Sequence, residues 1–143
     1  MKIAIINLQQ AYPVKKSRVR EIVREVLKQE DKDAELSIAF VDEDEIRRLN
    51  KRFLGKDFPT DVISFPLETK RRWVEGEVVV CVPVALKEAT KMRMDAEDEI
   101  MLYVVHGILH LLGYNDIRKK DARVMHLLEK EVLSRFGYKV KGL

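Results

Sequence analysis

His106 and His110 stand four residues apart in the run His106-Gly-Ile-Leu-His110-Leu-Leu-Gly113-Tyr-Asn-Asp116. Histidines at that spacing share one face of a helix, with Cβ atoms about 5–6 Å apart, a gap that one metal ion can bridge. The residues before them support the helix. Asp95-Ala-Glu-Asp-Glu99 supplies a candidate N-cap and acids that oppose the positive end of the dipole, and Ile100-Met-Leu-Tyr-Val-Val supplies an apolar body. Gly113 ends the helix by permitting a left-handed turn. That turn can carry Asp116 back as a third ligand. Two imidazoles and a carboxylate, with a fourth position left to water, describe a catalytic zinc site better than a structural one. Unpartnered imidazoles on so apolar a helix would be costly, and a metal satisfies both together.

The spacing alone leaves peptide, ester and phosphate hydrolysis open. The metalloprotease pattern H-E-x-x-H puts a general-base Glu directly after the first histidine. Here that position is Gly107. His126, the third histidine, falls beside the apolar face of a later helix; it reads as a rim or packing histidine and is the reserve ligand should Asp116 not bind.

The stretch from His106 to Asp116 resembles the H-G-x-L-H-L-x-G-Y-D-H signature of the YbeY family of rRNA maturation endoribonucleases. Two further blocks agree. One comprises Leu49-Asn50, Gly55-Lys-Asp57 and Thr60-Asp-Val-Ile-Ser-Phe-Pro66; the other is Gly76-Glu-Val-Val-Val-Cys81, similar to the family's G-D-I-V-I-C strand. The resemblance implies a zinc-dependent, single-strand-specific endoribonuclease that acts on rRNA precursors, with the small ribosomal subunit or its assembly factors as partners. It implies neither DNA nor membrane as a target. Two positions depart from the pattern: the family's third histidine is Asp116, and its proposed catalytic arginine is Leu54. Arg52 is the substitute catalytic candidate, since in an extended segment it would point the same way as residue 54. Lys56 is a candidate to neutralise a phosphate of the substrate, and Ser64 to donate a hydrogen bond to one. RNA brings its own nucleophile, the 2′-hydroxyl, so a strong protein base is less needed. Two other classes remain: a metal-stabilised ribosome-assembly or RNA-binding factor that does not cut, and a small peptide or ester hydrolase.

These residues need a scaffold. The 143 residues suffice for one domain with a real core. Charged residues make up 36% of the chain but the net charge is only +3, so RNA affinity must come from local clusters. Lys70-Arg-Arg72 with Trp73 is one such cluster, read as a loop that could contact phosphate and stack on a base. Cys81 is alone, which fits a reducing compartment, and no stretch is long and apolar enough to span a membrane. A cytoplasmic location is expected. Strands are expected at residues 2–7, 35–41, 61–65 (ended by Pro66) and 77–82. Helices are expected from Ser17 as cap to Gln29, from Asp42 as capping box to Arg52, from Pro83 to Lys91, over the histidine segment, and from Lys119 to Phe136. The sum is an α+β domain, a four-stranded mixed sheet packed with about five helices.

Overall fold

The computed structural model describes residues 1–142. The chain runs β1 (Lys2–Asn7), α1 (Lys16–Gln29), β2 (Asp33–Val41), α2 (Glu43–Leu54), β3 (Val62–Lys70), β4 (Trp73–Cys81), α3 (Val82–Met92), α4 (Ala96–Leu111) and α5 (Lys119–Arg135). The strands form one sheet in the order β1-β2-β4-β3. β1 pairs parallel with β2 and β2 with β4, while β3 runs antiparallel along the outer edge of β4. The expected α+β architecture, mixed sheet and helix order are all present.

The sheet buries both faces where β4 runs through its interior. Val74, Val78 and Val80 join Leu36, Ile38 and Phe40 of β2 in the main core, against α1, α4 and α5. Val79 and Cys81 point the other way, into a smaller cluster with Val41, Ile63 and Ile46 of α2. That division explains the near-unbroken apolar run read for this strand. Burial pushes the Cys81 thiol up to about 11, which makes it a packing residue rather than a nucleophile.

Two expectations about β3 and β4 are corrected. Pro66 does not end β3: the strand continues to Lys70, and β4 begins at Trp73, so the basic cluster is the tip of a β-hairpin. Proline is tolerated there because β3 has a neighbour on one side only, and its register slips between Pro66 and Glu68, a β-bulge. The tip is held to its own surroundings. Lys70 pairs with Glu68 at 3.3 Å, Arg72 with Asp31 at 3.5 Å, and the Arg72 carbonyl accepts from the Asp33 N–H at 2.8 Å. Trp73 is half-buried in the ladder opposite Asp33. A smaller correction concerns α1, where Lys15 and not Ser17 occupies the N-cap, without a side-chain capping bond. Asp42 does cap α2, accepting from the Glu45 N–H at 2.9 Å. No helix among the described residues is long and apolar enough to cross a membrane.

Helix α4 crosses β3 and β4 closely because Gly107 has no side chain. A Cβ at that position would lie 2.5 Å from Cγ1 of Val78 and 3.1 Å from Cγ2 of Val62. In an open helix Gly→Ala stabilises by about 1 kcal/mol. Here overpacking, typically about 1–3 kcal/mol, outweighs that gain. Gly107→Ala is expected to lower stability in urea unfolding of the metal-free protein. A rise in the unfolding midpoint would show that α4 can lift from the sheet at no cost.

Candidate metal centre

α4 presents both histidines at its C-terminal end, and the chain beyond it completes the group. Gly113, at φ +100°, turns the chain: its N–H donates to the His110 carbonyl at 3.1 Å, and that of Tyr114 to the Leu109 carbonyl at 3.0 Å. The Tyr114 hydroxyl donates to Glu30 at 2.6 Å and pins the turn to the end of α1. Asn115 Oδ1 accepts from the Ile117 N–H at 3.2 Å, which leaves Asp116 facing back toward the helix end. The result is that His106 Nε2 and His110 Nε2 lie 3.0 Å apart, with Asp116 Oδ2 at 3.6 Å from the first and 3.9 Å from the second.

The other ring nitrogens decide what these atoms can do. His106 Nδ1 faces Glu129 Oε2 at 2.6 Å, and His110 Nδ1 faces the Tyr114 carbonyl at 3.0 Å. Both partners are acceptors, so each Nδ1 carries the hydrogen and each Nε2 presents a lone pair. Two lone pairs at 3.0 Å beside a carboxylate oxygen repel unless a metal ion or a proton lies between them. Donors on a zinc ion sit about 2.0–2.2 Å from it, and the three atoms lie within 4.8 Å of one another. The group can therefore hold a metal ion. It stays open to solvent: the side chains are 25%, 30% and 51% exposed, which suits a site with a free position rather than a sealed one.

Electrostatics on His106 point the same way. Burial disfavours its imidazolium, but the Glu129 hydrogen bond and charge, then the charge of Asp116, outweigh burial and raise its pKa above the ordinary value. The carboxylates that favour positive charge on this ring would equally favour a cation beside it.

Glu129 was missed by sequence reasoning, though a signal existed. It is a lone acid on the apolar face of α5, four residues from both Met125 and Leu133, and it is only 4% exposed. Its second oxygen lies 3.4 Å from His126 Nδ1. His126 thus stands behind Glu129, not among the ligand atoms, and among the described residues its buried Nε2 has no hydrogen-bond partner.

The structure separates the remaining candidates. Lys56 and Ser64 line a groove that ends at His110, and Leu54 lines it too. Lys56 has no ion-pair partner among the described residues, the neighbouring Asp57 being taken by Arg47 at 2.8 Å and approached by Lys51 at 3.9 Å. The Ser64 hydroxyl donates to the Gly107 carbonyl at 2.8 Å, so its one hydrogen ties β3 to α4 instead of reaching a phosphate. Arg52 lies in α2, not in an extended segment. Residues two apart in a helix point roughly 200° from one another, so the reason for matching Arg52 to position 54 fails. Its guanidinium lies over the Phe53 ring, 5.2 Å from the centroid.

With this geometry in place, similarity to known proteins becomes informative. The family model described as Endoribonuclease YbeY matches residues 4–137. The chain belongs to the YbeY family. A relative named Endoribonuclease YbeY from Persephonella marina is 39% identical over 125 residues, covering 83% of this chain and 82% of its own. One of the same name from Vesicomyosocius okutanii is 41% identical over 120 residues, covering 81% and 83%. The solution structure of TM1509 from Thermotoga maritima matches with a TM-score of 0.68 at 33% identity, covering 94% of this chain and 91% of the other. Within the YbeY signature this chain carries Asp116 where the pattern has its third histidine, and that aspartate still meets the two histidines in space.

Proposed function

We propose that the chain is a metal-dependent, single-strand-specific endoribonuclease of rRNA maturation, with zinc held by His106, His110 and Asp116. The observation that carries this reading is the convergence of two buttressed Nε2 atoms and a carboxylate at a solvent-open point, in a chain whose relatives bear the name endoribonuclease. Zinc, when bound, supplies Lewis-acid polarisation of a phosphoryl oxygen. The protein's own groups do the rest. Glu129 and the Tyr114 carbonyl hold the two rings in the tautomer that offers Nε2 inward. Lys56, in the adjoining groove, offsets the charge of a backbone phosphate. The 2′-hydroxyl of RNA serves as nucleophile, so the lack of a dedicated protein base is no obstacle. Arg52, whose guanidinium lies over Phe53, is not among the residues that line this groove, and a role for it in the chemistry is not proposed.

Peptide hydrolysis is the weaker reading for a structural reason. The Glu of H-E-x-x-H would replace Gly107, and a side chain there is driven into Val78 of the sheet rather than toward the ligand atoms. The ribosomal small subunit in a cytoplasmic setting is the proposed context of the reaction.

Incubating metal-loaded protein with single-stranded RNA, with duplex RNA and with an unfolded protein tests the proposal. Cleavage of the single strand alone is expected, lost on adding chelator and restored by zinc. Cleavage indifferent to chelator, or cleavage of the unfolded protein instead, would overturn it.

A further inference from the structure

Two cavities meet the histidine pair, and their charges differ. One, of about 510 Å³, is lined by His106 together with four carboxylate residues, Asp61, Glu88, Glu99 and Glu129, against one cation, Lys141. The other, of about 360 Å³, is the groove that ends at His110, and its lining holds Lys56 and no carboxylate. Both volumes fall in the range of small-ligand pockets, about 300–1,000 Å³. A polyanion is disfavoured by the excess of carboxylates in the first and met by Lys56 in the second, so on the endoribonuclease reading the groove is the better seat for the RNA strand.

The walls of the groove are mostly apolar. Leu54, Phe58, Phe65 and Pro66 line it, and Leu54 and Phe58 are 54% and 51% exposed. Exposed apolar side chains beside a nuclease centre call for an apolar occupant, and the sugar–phosphate chain is not one. The bases are. We propose that the groove seats one nucleobase of single-stranded RNA next to the phosphate to be cut, with Phe58 as its stacking face and Leu54 and Phe65 as walls. The inference rests on the endoribonuclease reading and adds to it the contact that selects single strands.

The groove is built before the ligand arrives. Asn50, 1% exposed, donates from Nδ2 to the Phe58 carbonyl at 2.9 Å and fixes the loop that carries the ring. Phe53 packs edge-on against Phe65 with centroids 5.3 Å apart and backs the far wall. Little ordering remains to oppose binding. A base can enter only when splayed from its stack, which a duplex resists, so single-strand selectivity follows from the same contact. An aromatic face tolerates any base but not the lack of one. Leu54, standing where the YbeY pattern has an arginine, extends this apolar surface instead of adding a second cation beside Lys56.

The test uses the metal-loaded protein and a short single-stranded RNA made uncuttable by 2′-O-methyl groups. A single abasic site is moved along the strand, and binding is followed by fluorescence anisotropy. One abasic position is expected to weaken binding by about tenfold, the size of one lost stacking contact. Phe58→Ala is expected to weaken binding of the intact strand by a similar factor and to abolish the abasic penalty, with metal content unchanged. Phe58→Tyr is expected to restore both. If Phe58→Ala binds the intact strand as tightly as the parent and keeps the same abasic penalty, the groove is not the base site, while the endoribonuclease reading stands. A parent protein that binds no single-stranded RNA sinks both.

Discussion

His110→Ala is expected to empty the metal site and reduce RNA cleavage to background. The substitution removes one of three donors whose atoms meet within 4.8 Å, leaving an imidazole and an exposed carboxylate that compete poorly with water. It also frees the Tyr114 carbonyl, which His110 Nδ1 engages at 3.0 Å, so the turn that aims Asp116 loses a tie. The loss of metal affinity should exceed the ~10–100-fold that removal of a supporting partner costs. Zinc content after gel filtration measures it, with two companions in the same experiment. Asp116→Ala should also lose most of its zinc. His126→Ala should lose little, because His126 reaches the site only through Glu129, at 3.4 Å. Full metal content in His110→Ala would show that His110 does not hold the metal. A larger loss in His126→Ala than in Asp116→Ala would show that Asp116 is not a ligand.

The parts of this molecule legible in sequence are those where local and tertiary demands coincide. α4 reads as a helix from its acids, apolar body and Gly113: the acids fill its first turn and Gly113 turns the chain after it, although Asp95 holds the N-cap position without a side-chain capping bond. β4 reads as buried on both faces because it lies inside the sheet with a cluster on each side. Pro66 misled because its cost depends on whether a neighbour needs its N–H, and the sequence does not mark β3 as an edge strand. Arg52 misled through a period error: α2 runs to Leu54, two residues beyond the expected end, and the helical turn redirects the side chain. Ser64 is a strand residue whose partner, the Gly107 carbonyl, comes from 43 positions away, a pairing only the fold creates. The two cavities flanking the histidines are likewise products of packing, and neither their volumes nor their opposite charges can be read along the chain.

Glu129→Gln should separate orientation of the metal site from simple packing. The carboxylate is 4% exposed and lies 2.6 Å from His106 Nδ1, so it both fixes the ring and makes Nε2 a stronger donor. Glutamine keeps the shape but loses the charge, and zinc affinity is expected to fall about 10–100-fold. Competition with a chromophoric chelator reads this directly. The metal-free protein supplies an independent check through pH. Burial works against the His106 imidazolium, yet the Glu129 bond and charge prevail and its pKa is raised. A raised folded-state pKa adds stability that is fully present below the unfolded value, about 6.5, and disappears as pH climbs through the folded value. In chelator, the parent should therefore exceed Glu129→Gln in stability most clearly below about pH 6.5, where the His106 imidazolium faces the Glu129 side chain at 2.6 Å. The advantage should shrink as pH rises past about 6.5, because a buried carboxylate facing a neutral ring has lost its counter-charge. Chemical unfolding over a pH series measures the difference. Equal zinc affinity together with a pH-independent stability gap would mean that Glu129 fills space behind His106 and does not tune it.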